Sequence, residues 1–236
     1  LMEMAEKNIN FYLIQKRKES VNAPRIAPAQ RIMETLQKDL GMEKLPVHIE
    51  CFDNSNIQGT NPVSSCVVFK NAKPAKNEYR KFNVKTVVGP DDFATMVEVV
   101  TRRYTRLIEE EKPLPDLIII DGGKGQLGMA TEVLRKLGIL DKVTLIGIAK
   151  RLEEIFFPED SIPLYINKKS ESLKLIQQLR NEAHRFAITF HRHKRSMNFT
   201  VSELTKIDGI GKATAEKLLK HFKSVKRIVA ASNEEV

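Results

Sequence analysis

The chain has 236 residues, enough for one large domain or one medium and one small domain, and 42% of them are hydrophobic, so a packed core is expected. Lys and Arg outnumber Asp and Glu by 39 to 30, a formal charge of +9 that suits a polyanionic partner, although a protein that is merely basic has the same composition. Cys51 and Cys66 lie in apolar runs without CxxC or Cys/His spacing, which excludes a zinc ribbon or disulfide framework and fits a reducing cytoplasm; no long apolar run or signal peptide points to a membrane.

The start at Leu1 and the end at Val236, inside a helical pattern, read as cuts in a longer protein. Residues 1–20 mix apolar and charged positions like a helix end that packs on something upstream, and residues 21–30, with Pro24 and Pro28, read as a linker. Residues 29–40 have helical spacing and Gly41 is their stop. His48-Ile49-Glu50-Cys51-Phe52 predicts a strand ending at Asp53. Residues 62–70 and 79–88 predict two more, joined by turn-rich connections into an antiparallel meander. Asp91-Asp92 caps a helix from Phe93 to about Glu111, and Pro113 and Pro115 end it. Leu117-Ile118-Ile119-Ile120 is a continuous apolar run, as in a strand buried on both faces by parallel pairing. A helix over 126–137, a buried strand over 143–148, a small hairpin over 156–166 and a helix from Ser170, its cap, to about His191 follow.

This order predicts an α+β fold with an α/β-like mixed sheet: a ribonuclease-H-like core of three antiparallel strands and two further strands joined through helices. A small all-α unit follows it. The expected division is 1–45 as a helical and linker segment on the core, 46–195 as the ribonuclease-H-like domain and 196–236 as the small unit. The polar, basic segment 191–200 predicts a flexible tether between the last two.

Asp53 and Asp121 each stand directly after an apolar strand, where α/β sheets gather ligands and catalytic groups. Neighbouring strands ending in Asp bring two carboxylates together; they repel unless a cation lies between them, and oxygen ligands select Mg²⁺ or Mn²⁺. Each Asp is equally able to cap a turn. His184 is a lone helical histidine, commonly structural or exposed, and Glu182, two residues away, cannot share its face. Asp92 reads as a helix cap first and a supporting acid second. Lys124, in Asp121-Gly122-Gly123-Lys124, has the glycines and following helix start that let a phosphate approach, without the full P-loop pattern. Ile207-Asp208-Gly209-Ile210-Gly211-Lys212-Ala213, between helical patterns, reads as a helix-hairpin-helix whose backbone at Gly209 and Gly211, with Lys212, faces a phosphate; an ordinary tight turn is the plainer alternative.

Ile49-Glu50-Cys51-Phe52-Asp53, Asp91-Asp92-Phe93, Arg102-Arg103-Tyr104, Ile119-Ile120-Asp121-Gly122-Gly123-Lys124-Gly125-Gln126-Leu127 and Arg180-Asn181-Glu182-Ala183-His184, in this order, resemble the C-terminal half of the UvrC family, a component of the bacterial UvrABC excinuclease. The resemblance runs from about Glu50 to the end. It implies a divalent-metal-dependent endodeoxyribonuclease that makes the 5′ incision beside a lesion in nucleotide excision repair. It places an Asp-Asp-His site on Asp53, Asp121 and His184, with Asp92 at a further acidic position. The implied partners are damaged duplex with its single-strand/double-strand junction, and the UvrB–DNA complex through the full-length protein. Lys124, Arg103 and Arg180 are assigned to the DNA backbone on charge and motif position. The family's GIY-YIG nuclease, UvrB-binding segment and second helix-hairpin-helix motif are not in this sequence. A non-catalytic DNA-binding module and a structure-specific resolvase of the same superfamily are the rival readings; both carboxylates argue against the first, and the Ile120–Leu127 string against the second.

Overall fold

The computed structural model of the chain describes Ile9, Tyr12 and residues 27–55, 63–84, 91–149, 154–207, 209–222 and 224–231. The predicted N-terminal helix and most of the linker lie outside the described residues; Ile9 and Tyr12 are helical.

One mixed sheet carries the core. Strand β1 (His48–Ser55) pairs antiparallel with β2 (Val63–Lys70), which also pairs with the short β3 (Lys73–Pro74) and with β4 (Arg80–Asn83). On its other side β1 pairs parallel with β5 (Leu117–Asp121), β5 pairs parallel with β6 (Thr144–Ile148), and β7 (Ile155–Phe156) closes that edge antiparallel. Every residue of β5 is buried, which is what its unbroken apolar run requires of a central parallel strand. The expected hairpin over 156–166 is reduced to β7, taken into the main sheet, and a single bridge from Ile155 to Leu164. The expected strand over 79–88 is visible as β4, and residues 85–90 lie outside the described residues.

Helix α1 (Pro28–Leu40) stops at Gly41, whose φ of 62° is the left-handed conformation that favours glycine. Helix α2 (Asp92–Glu109) is capped by Asp91, whose Oδ1 accepts from the N–H groups of Phe93 and Ala94 at 3.0 and 2.9 Å. Asp92 is thus the first helical residue and not the cap. Helix α3 (Lys124–Lys136) packs against α2, and α4 (Glu171–Leu204) packs against α1, β1 and β2. Alternation along β1 and β2 separates the two helical layers. Ser65 donates to the carbonyl of Ala183 on α4, while its neighbour Cys66 donates to Glu50 of β1, which also accepts from Tyr104 of α2 on the opposite face.

Helix α4 corrects the sequence-based expectation at its far end only. Ser170 stands at the expected N-cap position, its carbonyl accepting from the Lys174 N–H at 3.3 Å, and its hydroxyl donates to Asp39 of α1 at 2.9 Å, so it also fastens two helices together. At the far end α4 does not stop near His191 but continues to Leu204, through the segment expected to be a tether. Its 34 residues contain neither glycine nor proline, so polarity alone supplies no break. The last turn of α4, α5 (Lys212–Phe222) and α6 (Val225–Ala230) enclose a second apolar cluster of Leu204, Ala215 and Leu219, against which Ile210 and Ile228 pack. Gly209, at φ 88°, makes the turn between α4 and α5.

Candidate active site

Asp53 and Asp121 are register partners on the parallel pair β1 and β5. Equal register puts their side chains on the same face of neighbouring strands, with backbones about 4.8 Å apart. Both residues are buried, 1% and 5% exposed. His184, on α4 above that face, brings Nδ1 to 3.0 Å from Asp53 Oδ2, while its side chain remains 53% exposed. The structure therefore gathers Asp53, Asp121 and His184 at one end of the sheet.

Three hydrogen bonds fix this end. Ser64 Oγ donates to the Asp53 carbonyl at 3.2 Å, and Ser65 Oγ donates to the Ala183 carbonyl at 2.9 Å, one residue before His184. Asn54 Nδ2 donates to the Asp92 carbonyl at 3.1 Å, tying the start of α2 to the end of β1. Asp92 is thereby placed beside this end of the sheet, held there through Asn54.

The predicted DNA-contacting residues divide. Arg180 lies one helical turn before His184 on the same face of α4, half-buried, and its charge reaches the buried Cys51 beneath the carboxylates. Lys124 opens α3 three residues after Asp121; its Nζ donates to the Ser161 carbonyl at 2.8 Å and lies 4.7 Å from the Phe156 ring centroid. Gly209, Gly211 and Lys212 are exposed at the start of α5. Arg103 is elsewhere: its guanidinium turns inward on the opposite face of the sheet and pairs with Glu50, leaving the side chain 10% exposed. That placement does not support a DNA contact for Arg103.

Glu50 is a residue whose role sequence reasoning missed. Its fully buried carboxylate is bound by Arg103 through both oxygens, accepts from Tyr104 Oη at 3.0 Å, and has His48 Nε2 at 3.4 Å. Burial pushes this carboxyl upward, yet His48 and Arg103 beside it outweigh that and hold the group at about 2. A Glu between Ile49 and Cys51 in an otherwise apolar strand was the available signal. Burial likewise raises both thiols, Cys51 and Cys66, well above their ordinary range.

Two carboxylates are hard oxygen donors suited to a divalent cation such as Mg²⁺ or Mn²⁺, and an imidazole is a borderline donor beside them. Among the described residues no group of three or more His, Cys, Asp or Glu is arranged to hold a metal ion. The fit therefore rests on the paired carboxylates, with the imidazole turned to Asp53.

The family described as UvrC RNAse H endonuclease domain matches residues 37–188, and that of the SAM-like helix-hairpin-helix tandem matches residues 201–236. Relatives named UvrABC system protein C are 58% identical over 236 residues in Christiangramia forsetii and 59% over 239 residues in Porphyromonas gingivalis. Both alignments span all of this chain, but only 40% and 39% of the relatives' lengths. The solved structure of Ciona intestinalis endonuclease V with an inosine-containing DNA covers 64% of this chain and 65% of that one, at 22% identity and a TM-score of 0.35, too slight a likeness to carry weight. With the matched segment spanning the sheet, the paired carboxylates and His184, the chain belongs to the family of UvrC RNase H endonuclease domains.

Proposed function

We propose that this chain is the part of a UvrABC system protein C that makes the 5′ incision beside a lesion in nucleotide excision repair, by hydrolysis of a phosphodiester. The observation that carries the reading is the side-by-side register of Asp53 and Asp121 with His184 bonded to Asp53. Paired, buried carboxylates repel each other and are relieved by a cation between them. Asp53 and Asp121 would hold Mg²⁺ or Mn²⁺, which when bound supplies charge stabilisation at the phosphate and an activated water. His184 orients Asp53 through Nδ1, and its exposed ring is the group at this site placed to exchange a proton with substrate or solvent. Arg180 and Lys124 hold the DNA backbone beside the carboxylates, by charge and by position at the same end of the sheet.

The two apolar clusters support a division of labour in which residues 46–195 cut and residues 196–236 grip DNA through the Gly209–Gly211 backbone and Lys212. The partners would be damaged duplex at its single-strand/double-strand junction and, through the full-length protein, the UvrB–DNA complex, in the cytoplasm. No described helix is long and apolar enough to cross a membrane. The test is incision of a lesion-bearing duplex by the full-length protein and its partners, wild type against Asp121→Asn and Asp53→Ala. Loss of 5′ incision by about a hundredfold or more, with DNA affinity preserved, is expected because a metal-holding group is removed and not the fold. Incision within a few-fold of wild type refutes the assignment.

A further inference from the structure

The first turn of α2 carries an apolar side chain that the core does not take. Met96, Val99 and Val100 of the same helix are fully buried, whereas Phe93 is 52% exposed. Its ring is nevertheless seated. A Cβ on Gly125 would come within 2.4 Å of Phe93 Cε1, so the ring edge occupies space that only glycine leaves open at the start of α3. The backbone beneath it is fixed by the Asp91 cap. Phe93, Gly123, Gly125, Gln126, Asp91 and Asp92 line a groove of about 570 Å³. This groove adjoins the end of β5 that carries Asp121.

Resting on the nuclease reading above, we propose that Phe93, backed by Gly125, is a stacking platform for an unpaired DNA base beside the cut. A half-open ring at a fixed position, next to a site that handles a phosphodiester, presents an apolar face to whatever enters. Bases stack on such faces without regard to sequence, as a lesion-tolerant nuclease requires. The two rim carboxylates, Asp91 and Asp92, disfavour a phosphate in the groove itself and favour the uncharged base. Lys124, just past the Gly122-Gly123 turn, lies outside the groove's lining, with its Nζ on the Ser161 carbonyl.

The test uses this chain and a single-stranded oligonucleotide containing 2-aminopurine, with the protein as wild type, Phe93→Ala, Phe93→Trp, Gly125→Ala and Asp121→Asn. Wild type quenches the probe. Phe93→Ala abolishes the quenching and weakens binding by about tenfold, the scale of one lost base–aromatic stack, and Phe93→Trp retains both. Gly125→Ala, which displaces the ring without deleting it, reduces quenching. Unchanged far-ultraviolet circular dichroism and urea midpoints exclude misfolding. Asp121→Asn quenches like wild type whether or not it cuts, so failure of the nuclease assignment is read separately from failure of the platform. Quenching and affinity within about twofold of wild type in Phe93→Ala overturn the proposal, and so does a defect in that variant confined to association with another protein.

Discussion

Replacing Arg103 with Met separates a structural arginine from a DNA-binding one. In the folded chain Glu50 is fully buried and Arg103 is its principal counter-charge. Holding a carboxyl at about 2 instead of 4.5 corresponds to about 3 kcal/mol. Breaking a buried pair from one side costs about 3–5 kcal/mol, because the remaining charge stays unpaired in the core. For a domain of this size that is a fall of roughly 6–20 °C in the midpoint of thermal unfolding. The assay is unfolding at neutral pH by heat and by urea, followed by circular dichroism, alongside duplex binding at a temperature where the variant remains folded. Arg103→Met should lose stability and keep its DNA affinity. Glu50→Gln in the same chain should restore part of the loss, since an amide has no charge to leave stranded. A midpoint within about 2 °C of wild type, about one kcal/mol or less, together with weakened DNA binding, would refute the reasoning and return Arg103 to the DNA surface.

The same pair sets an acid limit. A carboxyl lowered in the folded state stabilises above its unfolded value and loses that contribution as pH falls toward the folded one. The Glu50 share should therefore vanish between about pH 4.5 and 2, seen as a steeper acid decline in wild type than in Glu50→Gln. Cys51 and Cys66 are buried with raised thiols, so an aromatic disulfide reagent should leave both unmodified in the native chain and titrate two in urea. At the C-terminal hairpin, Lys212→Gln should weaken duplex binding uniformly across sequences and lower the salt slope by about 0.9, one released counterion. Binding indifferent to salt, or dependent on base sequence, would show that the backbone is not what this element reads.

Much of the core was legible because burial writes itself into periodicity. The apolar run before Asp121 announced a central strand, and β5 is buried throughout. The antiparallel meander followed from turn-rich joints, and Gly41 marked its helix end by conformation. What failed were readings that equate polarity with irregular structure. Residues 191–200 are polar and basic, but nothing in them breaks a helix, and the backbone of α4 continues through them. Ser170 stands at the cap position it was read for, and its hydroxyl also straps α4 to Asp39, an acceptor only the tertiary fold supplies. Arg103 was read toward DNA and Glu50 was given no role: charge in a basic chain suggests a partner outside, and only the packing of α2 on β1 shows the partner to be within.

His184 shows why the site itself was only partly legible. Periodicity on α4 identifies Ile176, Leu179, Ala183 and Ala187 as its sheet-facing stripe, and all four are buried. Near the end of the sheet the stripe changes from large residues to alanines, which lets the helix approach β1 and β2. Ser65, the cross-strand neighbour of Asp53, is itself small and takes the Ala183 carbonyl in a hydrogen bond. The next residue along the helix then stands on the flank of the contact, neither in the core nor clear of it. That is where His184 is found, with one ring nitrogen on a buried carboxylate and half its surface open. A histidine on the stripe would have been sealed from substrate, and one on the outer face could not have reached Asp53. The position is set by the small residues around it, so a reading that looked only for chemical partners near His184 in the sequence, such as Glu182, had nothing to find; Glu182 turns instead to Tyr79 and Arg185.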